Sequence, residues 1–197
     1  MNIVERVKNI LLTPKTEWEV INGETATTAS LFTGYVLPLA LVGSVGQILA
    51  SVLFISGKGL TFGIAMFIVT LVATVVGYFL AVLIVDALAP SFSSEKDSGK
   101  TAQLVAYSGT AGYVAGILSF IPIVGGLLGF AAMIYGVYTM YLGLAPLKKT
   151  PDDKKIGYLI VSYVIIFIIY FALMAILGGI VVVSLLGGIN GINTLSR

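Results

Sequence analysis

The chain has 197 residues, 58% of them hydrophobic and only 10% charged, with a net charge of +2. A soluble domain of this length keeps too much surface to hide that many apolar side chains, and soluble chains carry about a quarter charged residues. A disordered chain needs the opposite composition, and so small a net charge offers nothing to nucleic acid.

What remains is an all-α, polytopic membrane protein. A β-barrel would show short segments of alternating polarity, and runs such as Tyr163 to Tyr170 do not alternate. The chain has no Cys and no His. Thiolate nucleophiles, zinc–thiolate sites and the usual general base near neutral pH are therefore missing. No enzymatic activity, metal or cofactor is expected.

Residues 1–24 read as amphipathic helices. Ile3, Val4, Val7, Ile10 and Leu11 recur at helical spacing, opposite Asn2, Glu5, Arg6, Lys8 and Asn9. Thr13-Pro14 stops that helix and can start another, with Thr13 as N-cap and Pro14 at the first helical position. Trp18 and Ile21 share a face of the second helix. A short amphipathic helix before a span usually lies in the membrane interface, so Arg6, Lys8 and Trp18 are expected to anchor it there. The competing reading is a docking helix for a soluble partner.

A membrane domain is expected over 25–188, with a tail at 189–197. The charges leave four long uncharged stretches: 25–57, 59–85, 101–147 and 156–196. A helical span needs about 20 apolar residues. The first two stretches hold one span each, near 31–56 and 60–88. The third holds two, 101–121 and 125–147, split by the breakers in Phe120 to Gly126. The fourth holds one, 156–177. The apolar piece after Gly178-Gly179 is too short to cross again and reads as a frayed extension or an interfacial segment. The count is five.

Lys and Arg set the orientation. With the N-terminus inside, nine of the eleven basic residues fall on the inner side. Five crossings then place the C-terminus outside. Tyr35, Tyr107, Tyr138, Tyr141 and Tyr158 fall near the inner ends and read as a headgroup-level belt.

Helices in lipid associate through small residues. The third span carries Gly109, Gly112 and Gly116 on one face, and the fourth carries Gly125, Gly129, Gly136 and Gly143. Two smooth faces joined by a short turn predict a tight antiparallel hairpin. A pore or a homodimer (homo-oligomer) face is the other use of such a stripe. Pro38 is expected to kink the first span.

Two polar residues stand out as a candidate intramembrane site. Asp86 is the only charge inside a hydrophobic stretch, placed to meet headgroup water or pair with Lys96 or Lys100. Gln47 is the deepest amide, placed to bridge helices or line a cavity. Lys148 to Lys155 reads as a solvated loop. Ser98-Gly99-Lys100-Thr101 lacks the first glycine of a phosphate loop, since Ser94 stands there.

Several features in order resemble one family. An Arg6 helix is followed by Thr13-Pro14-Lys15 and Trp18. Ala106-Tyr107-Ser108 lies in the third span, and Ile121-Pro122 marks the hairpin turn. Tyr135-Gly136-Val137-Tyr138 and Tyr141-Leu142-Gly143-Leu144 close the fourth span. Over roughly residues 5–177 the chain resembles the Yip (Ypt-interacting protein) domain family, above all its short prokaryotic members. The resemblance implies a compact five-helix membrane domain, in the inner (plasma) membrane of a prokaryote, with no catalytic residues to carry over. Eukaryotic relatives act in vesicle traffic and associate with small GTPases, often as oligomers. This chain has no counterpart of their Asp-Leu-Tyr-Gly-Pro motif, which argues against a small-GTPase partner. The expected role is a non-enzymatic scaffold or membrane-organising protein. The alternative is a transporter or channel component for a small solute, ion or lipid, built around Asp86 and Gln47.

Overall fold

The computed structural model describes residues 2–184, and among these there is no strand. Two short helices come first: α1 (Ile3–Leu12) and α2 (Pro14–Asn22). Asn2 caps α1 by accepting the Val4 N–H at 3.0 Å. Thr13 ends α1, its N–H bonded to the Asn9 carbonyl, and Pro14 opens α2.

The long helix α3 (Thr28–Phe54) begins at a capping box between Thr27 and Ser30. A π turn over Phe32–Val36 directly precedes Pro38. Proline has no N–H and its ring clashes with the carbonyl four residues back, and the wider turn relieves both. Helix α4 (Gly59–Leu88) returns and closes with a short 3-10 turn, Ala89–Phe92. Then come α5 (Ser98–Ser108), α6 (Thr110–Ile117), α7 (Val124–Lys148) and α8 (Asp152–Val182).

Among the described residues, four helices are long and apolar enough to cross a membrane: α3, α4 with its closing turn, α7 and α8. The expected continuous span at 101–121 is corrected to two shorter helices, α5 and α6, meeting at Gly109. Glycine is a poor helix former. The Thr110 hydroxyl also donates to the Tyr107 carbonyl at 2.6 Å and competes with the helical ladder at that point. Helix α8 runs through Gly178-Gly179 to Val182 without a break. The expected tail, 189–197, lies outside the described residues.

The packing partners give the direction of each rod. Gly59 meets the Ser51 backbone and Thr70 donates to Gln47, so α3 and α4 are antiparallel. Tyr35 contacts Tyr107 and Gly43 contacts Tyr113 and Gly116, so α5–α6 runs parallel to α3. Gly125 lies at Ser119, Gly136 at Ser108 and Gly143 at Leu104, so α7 runs antiparallel to α5–α6. Tyr158 donates to the Val85 carbonyl and Tyr170 lies by Gly77, so α8 is antiparallel to α4. The rods alternate in direction along the chain.

The turn between α6 and α7 is a γ-turn centred on Ile123, with φ at +65° and the Val124 N–H bonded to the Pro122 carbonyl. The outward sides of α4 and α8 expose Ile68, Leu83, Phe167 and Phe171. Such faces suit lipid and not water.

Candidate functional site

The polar chemistry gathers at one end of the bundle. Asp86, near the end of α4, accepts from three groups: Lys148 Nζ at 2.9 Å, the Thr101 hydroxyl at 2.8 Å and the Asp97 N–H at 3.0 Å. Lys148 is completely buried and also donates to Thr101. The expected partners of Asp86, Lys96 and Lys100, are thus corrected to Lys148. The reading of Lys148 as part of a solvated loop is corrected with it. A left-handed residue, Lys149 at φ +50°, turns the chain at the end of α7, and the Thr150 N–H reaches back to the Leu144 carbonyl. That turn leaves Lys148 on the inward side of the last helical turn. The Glu95 N–H then binds the Lys148 carbonyl at 2.8 Å, and Ser94 pairs with Thr150. Lys100 instead donates to the Asn22 and Glu24 carbonyls, at 2.6 and 2.9 Å.

Beside this pair, α1 and α2 close over α5 and α7. Arg6 is 4% exposed. Its guanidinium meets Glu17 and Glu24 at 2.5 Å each and stacks over the Tyr107 ring at 5.0 Å. Asn9 holds the second oxygen of Glu17 at 3.0 Å. Trp18 is 0% exposed. Its indole N–H donates to the Thr139 carbonyl at 2.9 Å, and its ring fills the space left by the missing side chain of Gly143. Tyr135 donates to the Ile10 and Leu11 carbonyls, acceptors that the end of α1 would otherwise leave free.

The expectation that Arg6 and Trp18 face the membrane surface is therefore corrected. Both point into the protein, because α5 and α7 offer this helix pair an apolar wall and α2 offers a carboxylate. Lys8 alone of the three stays exposed. The tyrosine belt is corrected in the same sense. Tyr35, Tyr107 and Tyr158 are buried, while Tyr138 is exposed.

The glycine faces divide. Gly125, Gly136 and Gly143 bring α7 against α5–α6 or the turn after it. Gly116 packs on Gly43 of α3, and a Cβ on Gly43 would sit 2.5 Å from the Tyr113 carbonyl oxygen. Gly109 lies against the Tyr113 ring. Gly112 and Gly129 face open space. Gly43 and Gly46 of the first span are close-approach residues that the sequence reading passed over, although their spacing of three was the available signal.

Further along the bundle lies a cavity of about 670 Å³. All five rods line it, with Gln47, Tyr113, Met140 and Tyr170 on its wall. Gln47 both lines the cavity and bridges helices, accepting from Thr70 at 2.9 Å. Asp86 is not on the wall, so the structure does not bring Asp86 and Gln47 together. No wall residue is charged. Among the described residues no cluster of acidic side chains could hold a metal ion.

No curated protein and no solved structure matches the chain. The Yip1 domain matches residues 8–176, a range that takes in the Arg6–Trp18 helix pair from Lys8 onward, the Asp86–Lys148 pair and the cavity. The chain belongs to the Yip1 domain family of multi-pass membrane proteins.

Proposed function

We propose that this protein is a non-enzymatic, membrane-organising module. It crosses the bilayer five times, with α5–α6 as the third crossing, and lies in the inner membrane of a prokaryote. The Asp86–Lys148 end faces the cytoplasm and the C-terminus lies outside. Its working surfaces are its outer ones, toward lipid, a second copy or another membrane protein. The observation that carries this reading is the placement of charge. Asp86 is held in an ion pair at the polar end and the cavity wall is uncharged. A proton path needs ionisable groups along its length, and here Asp86 is already paired with Lys148.

Two further features support the reading. Helix α5–α6 lies alongside α7 from Thr101 near Lys148 to Ser119 at Gly125, a run of some 20 residues and about 30 Å at helical rise. Val4, Lys8 and Leu12 form an outward stripe on α1 at steps of four, with Val4 70% and Leu12 68% exposed. That stripe suits the headgroup region of the inner leaflet.

The test is ion flux in proteoliposomes holding the purified full chain. The expected result is potassium and proton flux equal to that of empty liposomes, for both wild type and Asp86→Asn. Flux present in wild type and abolished by Asp86→Asn would replace the organising role with transport.

A further inference from the structure

Helix α7 ends and α8 begins at the turn over Lys149–Pro151, and away from that turn the two helices take different partners. Helix α7 stays on α5–α6, whereas α8 leans on α4 through Tyr158, Tyr170 and Gly178. The cavity lies between them and is walled by both. Met133, 52% exposed, stands at this gap and also lines a second apolar hollow between the same two helices. The cavity therefore has a side facing the lipid.

Its wall is mainly apolar, and several of its polar side chains are hydrogen-bonded within the protein. Ser44 donates to the Ala40 carbonyl, Thr70 to Gln47, and Thr74 to the Thr70 carbonyl. Ser108 differs. It is 5% exposed and lines the cavity, and its hydroxyl oxygen is closed off from open space and has no hydrogen-bond partner. A buried hydroxyl without a partner costs free energy, and native interiors rarely leave one so. Interiors also rarely keep an empty space many times the size of a water molecule. Water suits a cavity with several converging polar partners, and this one supplies mainly apolar wall.

We propose that the cavity is a binding site for an acyl chain of a bilayer lipid, entering between α7 and α8, with the Ser108 hydroxyl turning from its closed-off position to donate to the lipid's ester carbonyl. The volume lies within the range of sites for small amphiphilic ligands, about 300–1,000 Å³. The depth fits as well. Ser108 lies seven residues, about 10 Å at helical rise, from Thr101 in the charged end of the bundle. With that end at the headgroups, Ser108 lies near the ester level and the remaining wall runs toward the bilayer centre. The uncharged wall excludes the headgroup and accepts the chain. This site goes beyond the organising role and does not depend on it.

Two glycines make the test clean. A side chain at Gly112 meets no atom within 4 Å and enters the cavity, while one at Gly129 meets none either but lies off the cavity wall. The full chain is reconstituted in phosphatidylethanolamine–phosphatidylglycerol vesicles with a trace of phosphatidylcholine bearing an acyl-chain diazirine. After illumination the adducts are mapped by peptide mass spectrometry. Wild type and Gly129→Leu are expected to carry adducts on Tyr113, Tyr163 and Met174. In Gly112→Leu these fall by about tenfold, while adducts on the outward Phe167 and Phe171 stay constant. Ser108→Ala lowers the cavity adducts severalfold. The proposal is overturned if the cavity residues carry no adduct in wild type, or carry it equally in all four proteins.

Discussion

Lys148 Nζ lies 2.9 Å from the Asp86 carboxylate, and that contact joins the ends of α7 and α4 across 62 residues of sequence. Thr101 of α5 completes the junction. Three helices thus meet at one buried charge pair. Removing one partner leaves the other charge buried and unpaired, at a cost of about 3–5 kcal/mol. Replacing both with apolar residues removes that penalty. Lys148→Met and Asp86→Leu are each expected to lower the thermal midpoint of the detergent-solubilised protein sharply. The double variant should recover most of the loss. A double variant as unstable as the sum of the two singles would mean that the groups do not act as a pair.

The Trp18–Gly143 contact makes a second prediction. A Cβ on Gly143 would sit 2.6 Å from Leu104 Cδ1 and 2.9 Å from Trp18 Cε2. Gly143→Leu must therefore expel the indole. Trp18→Ala loses a fully buried aromatic, at about 3–5 kcal/mol. Trp18 is the only tryptophan in the chain, so its fluorescence reports directly. Emission should be blue-shifted, and neither iodide nor lipids brominated near the headgroup should quench it. Gly143→Leu should shift it to the red and open it to quenching.

Close approach of α3 to α6 supplies a third. Gly46 faces the Ile117 carbonyl oxygen at 2.6 Å and Ser119 Oγ at 2.7 Å from an added Cβ, whereas Gly129 faces nothing. Gly46→Ala must push backbone apart and should cost about 1–3 kcal/mol. Gly129→Ala should be neutral or slightly stabilising, since alanine favours the helix by about 1 kcal/mol. Thermal midpoints in one detergent compare the two.

The N-terminal pair gives a fourth. Because Arg6 and Trp18 reach into α5 and α7, deleting residues 1–22 should destabilise the remaining helices and not merely release a surface anchor. Protease resistance of the membrane-extracted protein is the readout. A truncated chain as resistant as the full one would return α1 and α2 to the role of a detachable surface element.

Much of the fold was legible in the distribution of charge. The uncharged stretches mark α3, α4, α7 and α8, because a crossing helix tolerates few charges. The turn before α7 was legible in Ile121-Pro122 and the paired glycines. The break at Gly109 was not, since a glycine in a small-residue stripe serves packing and breaking alike. The inward aim of Arg6 and Trp18 was hidden for a related reason. An amphipathic pattern says that one face is covered, but not whether lipid or protein covers it. Lys148 was misplaced because a run of lysines looks solvated until the turn at Lys149 is known. The unpartnered hydroxyl of Ser108 depends on which neighbours surround it, and no spacing in the chain encodes that.

Five crossings require α5–α6 to span the bilayer in full, and Ile123 decides it. Ile123 is 81% exposed in the turn between α6 and α7. The chain has no native cysteine, so single substitutions report cleanly on the side they face. Lys8→Cys, Lys96→Cys, Ile123→Cys and Asp153→Cys are tested in intact cells with a membrane-impermeant maleimide. Five crossings predict that Ile123→Cys is labelled from outside while the other three react only after lysis. If Ile123→Cys stays unlabelled until lysis while Asp153→Cys is labelled from outside, then α5–α6 does not cross and the five-span arrangement fails.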